Sequence, residues 1–251
     1  GMTEIGVSQH TSTDIKVDSV GVVYPGTMVR ITDDGEILAR GGSQVFGYYK
    51  NNKATEEAFA GGWYHTGDAG HLDEDGHLYY LDRVEYMSRL SDGTKFAPQY
   101  IESRLKFSPY IKEAVMFGEG RPYITALINI DMGNVGNWAE ERMIPYTTYI
   151  DLSQQAAVEE LILNEVRKVN SNLPDFMKIR KFILLYKLLD ADDEELTRTG
   201  KVRRKFVYEQ YIKLIEAMYS GQKDLVVTGN VRYRDGHVGT ITTKVKILDV
   251  E

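Results

Sequence analysis

Asp-Gly stands at residues 34–35, 75–76 and 235–236, each time between two runs of strand-forming residues. MVRI and EILAR flank the first, HL and HLYYL the second, and NVRY and HVGTITTKVKILDV the third. Asp-Gly supplies the positive φ that a tight hairpin turn requires, so each site predicts two antiparallel strands joined by a short loop. A chain with hairpins near both ends is poorly suited to an all-helical bundle or a purely parallel sheet. Hairpins alone specify no function.

Helical periodicity fills much of the interval between these turns. In QQAAVEELILNEVRKVNSNLP, residues Val158, Leu161, Ile162, Val166 and Val169 recur on one face, with Ser153 as N-cap and Pro174 just beyond the end. VRRKFVYEQYIKLIEAMYSG predicts one amphipathic helix carrying Val207, Tyr211, Leu214, Ile215 and Met218, closed by Gly221. Pro98 to Phe107 reads as a shorter helix. EAVMFG and PYITALINI read as strands, and KFILLYKLL fits strand or helix. The fold class is therefore α+β, and 251 residues make two domains, or one and a piece of another, the better expectation.

Composition narrows the function classes. A net charge of -7 argues against nucleic-acid binding, which needs an excess of Lys and Arg on some face. No apolar run reaches the length of a membrane span, and no secretory signal pattern opens the chain, so the cytoplasm is the expected setting. With zero cysteines, disulfides, thiolate nucleophiles and thiolate zinc sites are excluded together. Chemistry falls to oxygen and nitrogen groups.

Two stretches could carry it. Thr66-Gly67-Asp68 places a carboxylate on a turn between strands, where it can accept hydrogen bonds from a ligand's hydroxyls or simply close an Asx-turn. In ELTRTGKVRRK, Lys201 stands on a polar loop ahead of a helix N-terminus, an end that favours anions; an anionic ligand would resolve the mismatch, whereas Lys201, Arg203, Arg204 and Lys205 could equally form a solvated basic run. LDEDGH lacks the spacing of a calcium loop, and the five histidines show no zinc-ligand spacing.

In this order, the motifs resemble the adenylate-forming superfamily. VFGYYKNNKATEEAFAGGWYHTGDAGHLDEDGHLYYLDR resembles its Gly-Tyr-Tyr, Gly-Trp and Thr-Gly-Asp block and hinge arginine, and ELTRTGKVRRK its lysine loop. LDRVEYMSRLSDGTKFAPQYIES and LTRTGKVRRK are most similar to long-chain fatty acyl-CoA synthetases. GMTE, followed by Ser19-Val20-Gly21 and Pro25-Gly26, resembles the family's Tyr-Gly-x-Thr-Glu segment without its tyrosine. The resemblance implies a two-step ligase using ATP, Mg²⁺ and coenzyme A on a fatty acid. Asp68 would take the ribose hydroxyls, Arg83 would add a cation beside ribose and phosphate, and Lys201 would bridge the α-phosphate and the substrate carboxylate. Thr3 would touch the α-phosphate and Glu4 would help hold Mg²⁺. Gly93 would let the pantetheine arm pass, Lys95 would meet a phosphate, and Glu85 would be the pivot. Residues 1–84 would be the barrel-like C-terminal end of a large AMP-binding domain, and 85–251 a mobile mixed α/β domain with an extra terminal hairpin. The family's phosphate loop is not in this sequence, so the chain is expected to be inactive without a preceding N-terminal domain. Two alternatives stay open: a non-catalytic nucleotide- or partner-binding module, and an acyl-AMP ligase using another acceptor.

Overall fold

The computed structural model describes residues 1–232 and 238–250. Two compact units divide the chain, Gly1–Met87 and Ser88–Glu251.

In the first unit, β1 (Ser8–Gln9) pairs with β2 (Val22–Val23), and β3 (Thr27–Ile31), β4 (Glu36–Gly41), β5 (Tyr64–Leu72) and β6 (Leu78–Arg83) form an open antiparallel sheet in sequential order. Helix α1 (Asn52–Ala58) lies between β4 and β5, and its N-cap Asn51 accepts from the Ala54 N–H. The core gathers Ile5, Val7, Ile37, Ala39, Tyr64 and Leu78. The opening segment is part of that core: Ile5 is fully buried, and the Val45 N–H donates to the Glu4 carbonyl.

The second unit begins with the small ladder β7 (Ser88–Arg89) and β8 (Lys95–Phe96), then α2 (Pro98–Leu105), β9 (Ile111–Phe117), β10 (Ile124–Ile130), α3 (Met132–Glu140), α4 (Tyr149–Ser153) and α5 (Ala156–Asn170). It continues with β11 (Ile179–Leu184), α6 (Arg204–Gln210), α7 (Ile212–Tyr219), β12 (Asp224–Arg232), β13 (Val238–Lys246) and β14 (Leu248–Asp249). Its main sheet runs β14-β11-β10-β9, with β10 parallel to β11 and the other neighbours antiparallel. Every residue of β10 is buried, as a strand covered on both faces must be. Helices α6 and α7 pack on the face carrying Val115, Phe117, Leu127 and Ile183, and Leu225, Val227 and Val245 bring the β12–β13 hairpin onto the same core.

The Asp34-Gly35 and Asp75-Gly76 turns form as expected, each a three-residue loop ending on a glycine of positive φ (79° and 82°). The Gly35 N–H donates to Thr32 and the Gly76 N–H to Asp73, the bulge-closed hairpin. The Asp235-Gly236 turn lies outside the described residues, although β12 and β13 on either side pair antiparallel.

Two expectations need correction. Ser153 is not the cap of α5: it ends α4, its buried hydroxyl donates to the Ile150 carbonyl, and Gln155 occupies the cap position. The last helix is two helices, because Tyr211 (φ -107°, ψ 18°) leaves helical geometry where its hydroxyl reaches a buried carboxylate. In KFILLYKLL the strand reading holds for Lys181–Leu184, where pairing along both edges of Ile179–Leu184 satisfies the backbone, while the rest of the stretch is neither strand nor helix.

Candidate functional site

Asp68 and Arg83 face one another across the β5–β6 ladder, and their side chains meet at 3.0 Å between Oδ1 and Nη1. The same Nη1 donates to the Thr66 carbonyl at 3.0 Å. The Thr66 hydroxyl donates to the Ile37 carbonyl (2.6 Å) and accepts from the Asp68 N–H (3.1 Å), fixing the residue before Gly67 to the neighbouring strand. Gly67 has φ 69°, and its N–H donates to Glu36 Oε1 at 3.0 Å; Glu36 Oε2 lies 3.1 Å from His65 Nδ1. Thr66-Gly67-Asp68 lies inside β5 and not on a turn between strands as the sequence suggested: both ladders of β5 shift register beside it, and such bulges re-aim side chains. Burial pushes the Asp68 carboxyl above its ordinary value, and the Arg83 charge opposes that rise without cancelling it.

Glu4 lies in the same unit. The Tyr48 hydroxyl donates to Glu4 Oε1 at 3.1 Å and stands 3.5 Å from the Tyr64 hydroxyl. Burial first, then the Tyr48 bond and the Glu4 charge, push the Tyr64 hydroxyl well above its usual value, so it stays a neutral donor. Thr3 is exposed. Among the described residues no cluster of three or more His, Cys, Asp or Glu side chains could hold a metal alone. A single carboxylate such as Glu4 fits Mg²⁺ bound mainly by phosphate and water. Glu85 is exposed on the short turn Val84–Tyr86 that follows β6.

The remaining sequence-predicted residues belong to the second unit. Gly93 (φ 87°) closes the β7–β8 hairpin, its N–H donating to Leu90 while the Leu90 N–H donates to Thr94. Asp92 accepts from the Thr94 N–H, and this bond holds its carboxyl below the ordinary range. Lys95 follows, paired with Arg89 across the ladder. Lys201 occupies the place of Thr94 in another hairpin: the Thr197 N–H donates to the Lys201 carbonyl (2.7 Å), the Gly200 N–H to the Thr197 carbonyl (2.8 Å), and Gly200 has φ 77°. Leu196 and Val202 bridge below it. The side chain of Lys201 is exposed, while Arg204 of the same basic run is not simply solvated. Arg204 grips Glu102 of α2 with both nitrogens, at 2.6 and 2.8 Å, and also donates to the Met116 carbonyl.

Three supporting residues were not singled out in the sequence: Glu36, Glu102 and Glu195. Glu36 had one available signal, its place directly after Asp34-Gly35. Glu195 opens ELTRTGKVRRK and ends the acidic run DADDEE, and only tertiary packing singles out its carboxylate.

The AMP-binding enzyme C-terminal domain family matches residues 87–223, more than half of the chain. The chain belongs to the adenylate-forming superfamily of AMP-binding enzymes and carries that family's C-terminal domain. It is 38% identical over 87% of its length to the long-chain-fatty-acid–CoA ligase FadD15 of Mycobacterium tuberculosis. It is 27% identical over 88% of its length to long-chain-fatty-acid–CoA ligase 1 of Cavia porcellus. The chain spans 36% and 34% of the lengths of these two relatives. Among solved structures, apo MatB from Rhodopseudomonas palustris shares the fold, with a TM-score of 0.56 at 24% identity, over 85% of this chain and 40% of that one. No helix among the described residues is long and apolar enough to cross a membrane.

Proposed function

We propose that this chain is the C-terminal part of an ATP-dependent fatty acid–CoA ligase working in the cytoplasm. The observation that carries the reading is the Asp68–Arg83 pair at 3.0 Å beside the bulge at Thr66-Gly67-Asp68 in β5, in a chain 38% identical to a long-chain-fatty-acid–CoA ligase. In the first step a fatty carboxylate oxygen bonds to the α-phosphorus of ATP and pyrophosphate leaves. In the second, the thiol sulfur of coenzyme A attacks the acyl carbonyl, AMP leaves, and the thiol proton passes to solvent.

Asp68 accepts the two ribose hydroxyls with its two oxygens, and Arg83 both orients that carboxylate and adds a fixed cation near the phosphates. Lys201, beside its hairpin loop, stands between two anions that otherwise repel. Thr3 contacts the α-phosphate. Glu4 would hold Mg²⁺, which neutralises phosphate charge when bound. Gly93 leaves room along the backbone for the pantetheine arm, Lys95 meets a phosphate, and Glu85 is the pivot between residues 1–84 and 85–251. A phosphate loop supplied by a preceding domain completes the site, so the 251 residues alone do not turn over.

The test uses the longer enzyme containing this chain. Pyrophosphate release with a fatty acid, and acyl-CoA formation once coenzyme A is added, are expected. Absence of pyrophosphate release with every chain length tried would overturn the reading. Acyl-AMP formation with no acyl-CoA when coenzyme A is present would instead assign another acceptor. Acyl-CoA production by the 251-residue chain alone would refute the division of the site.

A further inference from the structure

The Lys201 side chain is exposed, and its position is set by its backbone bonds to Thr197 and by the hairpin beneath them. That hairpin starts at Leu196, and the residue immediately before is Glu195, only 1% exposed. The Glu195 N–H donates to the Asp190 carbonyl (3.0 Å), and its own carbonyl accepts from the Arg203 N–H (2.9 Å), so its backbone ties the two ends of the loop together. Its carboxylate extends the tie. Oε1 accepts from the Tyr211 hydroxyl at 2.6 Å and lies 2.9 Å from Lys187 Nζ, while Oε2 accepts from the Asp190 N–H at 3.0 Å.

Three elements therefore converge on one buried side chain: the segment leaving β11, the start of the lysine loop and the α6–α7 junction. Burial alone would lower the Lys187 ammonium's pKa, and the Asp193 and Glu195 carboxylates more than offset this, keeping it charged. A buried carboxylate and ammonium are costly, and apolar side chains of similar volume would serve stability at least as well. What the charged arrangement adds is direction: each bond fixes a different strand of the loop's base.

We propose that Glu195 is a positioning residue, holding the Lys201 hairpin in register through Lys187, Tyr211 and Asp190. The proposal rests on the ligase reading for its effect on the reaction, but not for its effect on the loop. Its contribution falls on adenylate formation, the step in which Lys201 stands between two anions.

Two measurements test it. In the 251-residue chain, Glu195→Gln keeps size and most hydrogen bonding while removing the charge. Amide hydrogen exchange at Gly200 and Lys201 should accelerate at least about tenfold, with β10 amides unchanged. Unchanged exchange at those two amides overturns the proposal whether or not the parent enzyme is a ligase. In the longer enzyme, the same variant should lower kcat for adenylate formation by about ten- to a hundredfold, the scale of a small misplacement of a reacting group. KM for ATP and the rate of thiolation from supplied acyl-adenylate should stay within about twofold. Equal loss of both half-reactions would show a merely structural role. The double variant Glu195→Gln/Lys187→Met removes the ammonium that Glu195→Gln leaves paired with Asp193 alone, and should recover melting temperature but not kcat; recovery of both together would also overturn the proposal. A parent that forms no adenylate even as wild type refutes the ligase reading, while the exchange result still decides the hold on the loop.

Discussion

Asp68 holds a carboxylate where two opposing influences meet. Burial raises its pKa and Arg83, 3.0 Å away, pulls it back. Charge-assisted hydrogen bonds contribute about 1.5–3 kcal/mol each, so Asp68→Asn in the longer enzyme is expected to weaken ATP binding by about ten- to a hundredfold, measured by calorimetry. The raised pKa adds a sign: nucleotide affinity should begin to fall at a pH above the usual carboxylate value of 3.8, as protonation removes an acceptor. Lys201→Ala should cost adenylate formation about a hundredfold, the scale of losing one preorganised charge-stabilising group, with pyrophosphate release as the readout. These two residues were legible in the sequence because turn chemistry announces them: Thr-Gly-Asp and Thr-Gly-Lys each put a polar side chain beside a glycine. Glu36, which holds the Gly67 N–H from another strand, was not legible, since its role exists only once β4 and β5 pair.

One turn serves four places in the chain. Gly35, Gly76, Gly93 and Gly200 each close a three-residue loop with φ between 77° and 87°. After Gly200 the next residue, Lys201, is a candidate for ligand contact, so the same backbone solution that makes a hairpin also sets a side chain beside its loop. Around Gly200 a Cβ would meet no neighbour, and the left-handed backbone alone opposes a side chain. Gly200→Ala is expected to destabilise the hairpin by about 1–2 kcal/mol, read as faster exchange of the Lys201 amide. Core strands behave differently. Leu127→Ala in the wholly buried β10 should cost about 2–5 kcal/mol in chemical denaturation, whereas Val226→Thr on exposed β12 should cost under about 0.5 kcal/mol. The sequence showed hairpins and α5 clearly because their signals are local. The α6–α7 break stayed hidden: periodicity places Tyr211 on the apolar face, as the structure does, but contains nothing of the Glu195 carboxylate that receives its hydroxyl.

At the scale of the whole chain, each unit has its own core and its own tryptophan, Trp63 in Gly1–Met87 and Trp138 in Ser88–Glu251. Variants retaining only one of the two tryptophans therefore report each unit separately by fluorescence. Acid should act on the first through Asp73. Lys16 Nζ sits 2.5 Å from the Asp73 carboxylate, and this bond lowers its pKa from 3.8 to about 2. A carboxyl with a depressed folded pKa contributes stability that is complete above the unfolded value and lost as pH falls through the folded one. The contribution of Asp73 should accordingly be intact above pH 3.8 and vanish toward pH 2. Asp68, whose carboxyl is raised, works in the opposite direction, so the informative quantity is the difference between wild type and Asp73→Asn in the Trp63 background. At neutral pH the variant should unfold at lower denaturant. The gap between the two midpoints should narrow as pH is lowered from about 4 to about 2, while the Trp138 midpoint shows no such gap at any pH. No gap at any pH would mean that Asp73 supports its turn through the His77 and Asp75 N–H groups, which an Asn oxygen can also accept, and that Lys16 adds nothing measurable.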